Sequence, residues 1–462
     1  MGTIGLSLSL LFSSYLVIRD CRRRRTVSWA VWIPTILVAI LSSRPASLWF
    51  SGRGAHLSVQ MANDVESSVV DQMFYAIVLG SSLIVAFSRR MNWTRLFTSN
   101  LALMLFYLYF AMSIAWSTYP LGSTKRLIKD FGLLCVVAVL LTEKDPLEAM
   151  RAVYIRCAIV LLPLSFVFIK WYPEMGRAYG IAGEQMVTGV TTQKNSLGEI
   201  VLIFTLFLIW DYFEMRSPGT KFQLKRLPWD LIILELCGLH LLHLSQSKTA
   251  MVCTICGSFL ICRPGWLASR SISRLILAGA LTLPFIVIFA QQFASILGPL
   301  TQALGRNLTF TGRTSIWQHI TLDTVNPTIG AGYWNFWGGP GGDKVNLAMN
   351  SIIPNAHNGY IDIYLDGGLI GLTLLFILLL TCGLRIIRRI RVGSPLNRYE
   401  RVRFAFLVAA IIYNLSESTF ARIGPIWFTT LLMMVEYPIP RLDVKKMTRG
   451  KAQSEQALAM IR

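Results

Sequence analysis

Residues 368–380 read GLIGLTLLFILLL, a run with no charge and no alternation of polar with apolar side chains. Extended to 359–382, it passes the roughly 20 residues a helix needs to cross about 30 Å of hydrocarbon. Similar runs at 101–115, 231–242 and 275–290 recur along nearly the whole chain. None shows a period of two, which argues against a membrane β-barrel. The 462 residues are 54% hydrophobic and only 15% charged, with a mean hydropathy of +0.53. A water-soluble domain needs more charge to cover its surface. The expected fold is therefore an all-α polytopic membrane protein. Thirteen candidate spans are read at 3–18, 28–42, 71–88, 99–116, 130–142, 155–171, 195–212, 229–244, 249–262, 275–297, 359–382, 403–416 and 424–440. The count drops to twelve if one of the short segments at 28–42, 130–142 or 403–416 does not cross.

A net charge of +20 could point to nucleic acid, so the placement of the charges decides. With the N-terminus outside, 31 of the 44 Lys and Arg residues fall on the inner side and 13 on the outer. That asymmetry is the positive-inside rule; it orients the chain and accounts for the basicity without nucleic acid. The first span has no basic residue before it and an Arg cluster after it, the reverse of a cleavable leader, so it reads as a retained anchor. All eight cysteines lie within spans or at their inner edges, which gives no disulfide framework in an oxidising compartment. Residues 1–440 are expected to form a single membrane domain. A basic inner tail follows at 441–462.

Three outer segments carry more polar chemistry than a connector needs: 171–195, 416–424 and, longest, 298–358. Loops of that length tend to be functional. The long one has a helix-like stretch at 314–323 and a Gly- and Trp-rich piece from Gly330 to Gly339. His357 stands where this loop re-enters the membrane, in Asn355-Ala356-His357-Asn358-Gly359-Tyr360. An imidazole there could accept a proton near neutrality. Equally, Asn355 or Asn358 could cap the following span while His357 only hydrogen-bonds nearby. Arg177, Lys194, Lys248, Arg306, Arg313 and Arg422 sit on the side that topology depletes of cations, which suits phosphate oxygens. Lipid headgroups, or pairing with Glu174, Glu184, Asp323 or Glu417, would explain them as well. Trp317, Tyr333, Trp334, Phe336 and Trp337 fit an interfacial aromatic belt, and alternatively a sugar-stacking surface. No phosphate-binding glycine loop, dinucleotide fingerprint, H-E-x-x-H or Asp-x-Asp motif occurs, so chemistry without metal or cofactor is expected.

Several pieces share this outer placement and follow one another in order. They are Gln193-Lys194-Asn195-Ser196-Leu197-Gly198, residues 244–250, Thr311-Gly312-Arg313, Asn326-Pro327, Gly330-Ala331-Gly332, Asn355-Ala356-His357-Asn358 and residues 414–418. Together they resemble the O-antigen ligase and polysaccharide polymerase superfamily of bacterial envelope glycosyltransferases; the first third resembles it in hydropathy alone. The resemblance implies a multi-pass protein of the bacterial inner membrane whose active site faces the periplasm. It implies a metal-independent, inverting transfer of a glycan from undecaprenyl diphosphate to an acceptor glycan. By the family pattern His357 is the general base, and Arg313 binds the donor diphosphate with Arg177, Lys194 or Arg306. Glu417, Asn355 and Asn358 are candidate structural or acceptor-side residues. Relatives often carry His where this chain has Gln193, so no second imidazole is expected there. The leading expectation is a polymerase of lipid-linked repeat units, with a chain-length regulator or export proteins as candidate partners. A ligase acting on lipid A-core is the alternative, and a lipid-linked glycan transporter a second one, disfavoured by the scarcity of ionisable residues at mid-span depth.

Overall fold

The computed structural model describes residues 2–51, 68–179, 183–215, 228–263, 267, 269–292, 313–320, 325–390 and 397–437. The chain begins with α1 (Gly2–Arg23), α2 (Trp32–Leu41), α3 (Ala46–Ser51), α4 (Val69–Ser88), α5 (Trp93–Ser99) and α6 (Leu101–Ser113). Next come α7 (Pro120–Leu141), α8 (Pro146–Trp171), α9 (Pro173–Gly176) and the strands β1 (Arg177–Tyr179) and β2 (Gln185–Val187). Then follow α10 (Lys194–Met215), α11 (Trp229–Ser245), α12 (Lys248–Cys262), α13 (Arg270–Gln292), α14 (Arg313–His319) and α15 (Pro340–Met349). The last helices are α16 (Gly359–Arg389), α17 (Asn397–Tyr413) and α18 (Pro425–Met434). The expected helix at 314–323 is α14. The expected tail at 441–462, and Arg306 and Asp323, lie outside the described residues.

Among the described residues, each of the thirteen apolar segments read from the sequence overlaps a helix; 293–297 and 438–440 lie outside them. The chain is a multi-pass membrane protein. Among the described residues, α1, α4, α8, α10 and α16 are each long and apolar enough to cross alone, and the bent pair α5–α6 makes a sixth candidate. Others fall short for visible reasons. The ten residues of α18 rise only about 15 Å, and α7 carries Lys125, Arg126, Lys129 and Asp130 in its first half. One feature departs from an all-helical reading: β1 and β2 pair antiparallel, with Ala178 opposite Met186, in the segment between α8 and α10.

The core is built on α8 and α10, whose apolar windows are 83% and 78% buried, against 22% for α1 and α4. Tyr154 of α8 stacks on Phe207 of α10 with centroids 3.7 Å apart. At the end opposite the long loop, Arg24 is fully buried among Asp20 (2.6 Å), Glu148 (2.6 Å) and Asp211 (2.7 Å). An arginine that reads as a topology signal therefore also joins three carboxylates of α1, α8 and α10, whose charge Arg151 and Arg156 help to balance.

The apolar run that opens the sequence reading is not one continuous helix. At Gly368 (φ 61°, ψ −161°) α16 leaves helical geometry. A break exposes main-chain groups that lipid cannot satisfy, so it is tolerated only where protein supplies partners. Residues 327–332 supply them. The amides of Ala331 and Gly332 donate to the carbonyls of Leu365 and Asp366 at 2.9 Å each. Leu369 and Ile370 donate to the carbonyls of Pro327 (2.9 Å) and Thr328 (3.1 Å). The Tyr109 hydroxyl of α6 lies 2.6 Å from the Gly367 carbonyl and 3.0 Å from that of Ile329, bridging helix and loop. This explains Asn326-Pro327 and Gly330-Ala331-Gly332 as the plug of a broken span.

A methyl group at Gly368 would lie 2.3 Å from the Thr328 carbonyl carbon, in a backbone region open in practice only to glycine. Gly368→Ala is therefore expected to cost at least about 1–3 kcal/mol and to undock the 325–337 segment. The readout is a lower thermal midpoint in detergent together with new protease cleavage in that segment. Gly80→Ala, where a Cβ meets nothing within 4 Å, serves as the neutral control.

Candidate functional site

The plug carries the loop to the start of α16, and there the candidate residues meet. Asn358 is the N-cap: its side-chain oxygen accepts from the amides of Tyr360 (3.0 Å) and Ile361 (3.2 Å). Its side-chain nitrogen donates to the Leu415 carbonyl at 3.2 Å. Asn355 accepts from the His357 amide at 2.9 Å, closing a tight turn in which His357 adopts φ 49°. Gly359 donates to the carbonyls of both Asn414 (2.9 Å) and Glu417 (3.0 Å). A Cβ at Gly359 would stand 2.1 Å from the Asn414 side-chain oxygen, so only glycine lets the two turns press together. The two asparagines therefore shape the turn that holds His357, and Asn358 supplies the cap.

Glu417 lies at the centre of the arrangement. Its Oε1 accepts from Asn195 Nδ2 at 2.8 Å and pairs with Arg313 Nη2 at 2.5 Å. Its Oε2 faces His357 Nδ1 at 3.7 Å. That is too long for a hydrogen bond, and Nδ1 is a buried atom without such a partner. The His357 side chain is 30% exposed, whereas those of Arg313 and Glu417 are 14% and 12% exposed. Four segments distant in sequence, at 195, 313, 357 and 417, thus converge. Trp317 tightens the cluster by donating from its indole to the Ala356 carbonyl at 2.7 Å, seating α14 against the His357 turn.

The other expected cations are placed differently. Lys194 opens α10, next to Asn195. Arg177 donates to the Ile169 carbonyl (3.1 Å) and to Gln185 Oε1 (3.2 Å), which ties it to the β-hairpin and the end of α8. Arg422 pairs with Asp366 at 2.9 Å, lies 3.7 Å from Asp362, and stacks 4.1 Å above the Trp334 ring. Burial pulls its guanidinium downward, but Asp366 and Asp362 together hold it above its ordinary value.

Residues passed over in the sequence hold the cluster in place. Asp362 is fully buried and accepts from the Trp337 indole (2.7 Å), the Ala356 amide (3.0 Å) and the Ser418 hydroxyl. Asp366 accepts from the amides of Asn335 and Phe336. Two carboxylates at i and i+4 in an otherwise apolar span are a readable signal, because ionisable groups at such depth need partners. Arg44, also buried, meets the carbonyls of Met175, Val190 and others in the 189–191 turn. Burial pushes it down to about 10. It fixes the segment that leads into Lys194 and Asn195.

Beside Glu417 lies a cavity of about 230 Å³. Hydroxyls of Ser43, Thr191, Thr192, Ser196, Ser418 and Thr419 line it, with Glu199 and Arg422. The Trp334 indole donates to the Ala421 carbonyl (2.7 Å), and Tyr333 and Phe336 are buried. Tyr333 and Phe336 thus pack into the protein, while the half-buried Trp317, Trp334 and Trp337 each hold a protein acceptor. Among the described residues no group of three His, Cys, Asp or Glu side chains is placed to hold a metal ion.

Residues 233–376, which include Arg313 and His357, match the family model described as O-antigen ligase. The chain is 24% identical over 295 residues to the exopolysaccharide production protein ExoQ of Rhizobium meliloti (strain 1021). That match covers 62% of this chain and 65% of the relative, so the chain spans about two thirds of the length of the curated protein it matches. The stretch from α11 into α16 is thus similar to the O-antigen ligase family, and the chain is similar to an exopolysaccharide production protein.

Proposed function

We propose that this protein is a glycosyltransferase of the bacterial inner membrane that joins polyprenyl-diphosphate-linked repeat units into an exopolysaccharide or O-antigen at the periplasmic face. The observation that carries the reading is the meeting of His357, Arg313 and Glu417 in one cluster at the loop-bearing end of the bundle. A sugar hydroxyl is a poor nucleophile, and a base within hydrogen-bond reach makes it competent. His357 takes that proton as the hydroxyl oxygen attacks the anomeric carbon. The bond from that carbon to the diphosphate oxygen breaks, and the anomeric configuration inverts. Glu417 stands on the Nδ1 side of the ring, and in this reading Nε2 is the accepting nitrogen. The diphosphate leaves with added charge, which a fixed guanidinium such as Arg313 offsets without proton transfer. No step in this scheme calls for a metal.

The relative's name, an exopolysaccharide production protein, favours the polymerase reading. The family description, O-antigen ligase, favours transfer of the finished glycan to lipid A-core. A deletion strain separates the two. Loss of long chains with single repeats still attached, or loss of secreted polymer, marks a polymerase. Long lipid-linked chains that accumulate unattached mark a ligase.

His357→Ala is expected to leave membrane insertion intact and to lower transfer by about 10²-fold or more. Near-normal polymer from a well-expressed variant would count against the base. Arg313→Lys keeps the charge but loses the guanidinium fork, and turnover is expected to fall by about tenfold or more. Unchanged turnover there removes Arg313 from the diphosphate. Glu417→Gln retains the shape but frees Arg313 and leaves His357 unoriented; an assay of kcat apart from KM is expected to show the loss mainly in kcat.

A further inference from the structure

A second cavity, of about 800 Å³, lies away from His357 in the seam between α4 and α7. Its two walls are matched stripes. Gln72, Tyr75, Ala76 and Leu79 line it from α4, and Gly122, Lys125, Arg126 and Lys129 from α7. Both sets follow the i, i+3, i+4, i+7 spacing of a single helix face. The helices touch further along, where the Leu79 side chain reaches to within 2.6 Å of the Cβ position of Gly132. The seam therefore closes below Leu79 and splays open toward the ends at Val69 and Pro120, the side bearing the long loop.

The lining is strongly cationic. Lys125, Arg126 and Lys129 face Asp71, whose carboxylate accepts from the Ser47 amide at 3.1 Å and from its hydroxyl. The cationic heads are ordered around the cavity. Arg126 donates to the Trp334 carbonyl at 3.2 Å and lies 4.8 Å from the ring centroid, and the Lys129 ammonium lies 5.0 Å from the centroid of Tyr75. Below the charges the walls turn apolar, with Ile40, Leu79 and Ile128, the last 62% exposed. Charge above hydrocarbon, at the end of the bundle that topology depletes of cations, matches an anionic lipid. The volume falls within the range of small-molecule sites. Leu41, Ser43 and Ile423 line both this cavity and the smaller one beside Ser418 and Thr419, so the two adjoin. Trp334 lies between them, with Arg126 over one approach and Arg422 over the other.

We infer that the splayed α4–α7 seam is the lateral docking groove for a polyprenyl diphosphate: Lys125, Arg126 and Lys129 hold its phosphates, and its tail lies along α4 toward the bilayer. This rests on the lipid-linked donor proposed above and adds its route of entry, from the seam past Ser43 and Ile423 to Glu417.

The test uses the full chain in nanodiscs, titrated with farnesyl diphosphate and, separately, with phosphatidylglycerol. The triple variant Lys125→Ala, Arg126→Gln, Lys129→Gln is expected to weaken farnesyl diphosphate binding by about tenfold or more. Because Arg126 also holds the Trp334 carbonyl, a second variant is needed. Gly122→Phe has room at its Cβ, whose nearest neighbour lies at 3.9 Å, and fills the groove without removing a charge. It is expected to weaken binding similarly. His357→Ala is expected to bind within about twofold of the parent while losing transfer. Parent-like binding by Gly122→Phe, or equal affinity of the parent for phosphatidylglycerol, overturns the groove. Groove variants that lose binding while His357→Ala keeps transferring would instead uphold the groove and overturn the proposed base.

Discussion

A main chain broken inside a membrane has few ways to satisfy its own amides and carbonyls, and the break at Gly368 governs this molecule. The partners come from residues 327–332, so the loop cannot leave without exposing the span. Once that segment is seated, Asn335 and Phe336 fall on Asp366, and the Trp337 indole on Asp362. Asp362 then holds the Ala356 amide, next to His357. The position of the imidazole is thus set by a chain of contacts that starts at a helix defect, about three turns away along α16.

Charge follows the same economy. Asp362 and Asp366 would be costly in lipid, and Arg422 with the loop amides satisfies both. Arg24, with Arg151 and Arg156, does the same for Asp20, Glu148 and Asp211 at the other end of the bundle. Breaking such a group leaves an uncompensated buried ion, which costs far more than the pairing itself contributes. The ion groups therefore act mainly on specificity: they fix which helix meets which, while the apolar surface of α8 and α10 supplies the bulk of the burial.

Hydropathy made the spans legible, because segment length and apolarity are properties of local sequence. Glu417 as an arginine partner and an Asn cap on α16 were legible too, as named alternatives at 355, 358 and 417. The break at Gly368 was not, since Gly367-Gly368 in an apolar run reads equally well as close helix packing; only the distant plug distinguishes them. The partners of the tryptophans were hidden for a related reason. An indole near a membrane surface suits the interface, and nothing local reveals that Trp317, Trp334 and Trp337 each find a protein acceptor. Lys125, Arg126 and Lys129 were counted as outer charge without a site, because their common face matters only once α4 splays away from it.

Outer-face cations alone also gave too simple an account of the site's electrostatics. Among the described residues, Arg177 is bound to its hairpin and Arg422 to two carboxylates, and Arg313 is the guanidinium at Glu417. Yet the cluster remains suited to negative charge, because the backbone contributes. Long helices α10 and α16 both start there, at Lys194 and Gly359, and the Gly359 amide points at the Glu417 carbonyl rather than along its own helix. Helix starts carry a partial positive charge that fades within the first turn. Two helix starts beside the cluster therefore add partial positive charge near Glu417, whose carboxylate is held by Asn195 and Arg313. The arrangement places its fixed charge in rigid elements, so little reorganisation is required when charge develops beside them.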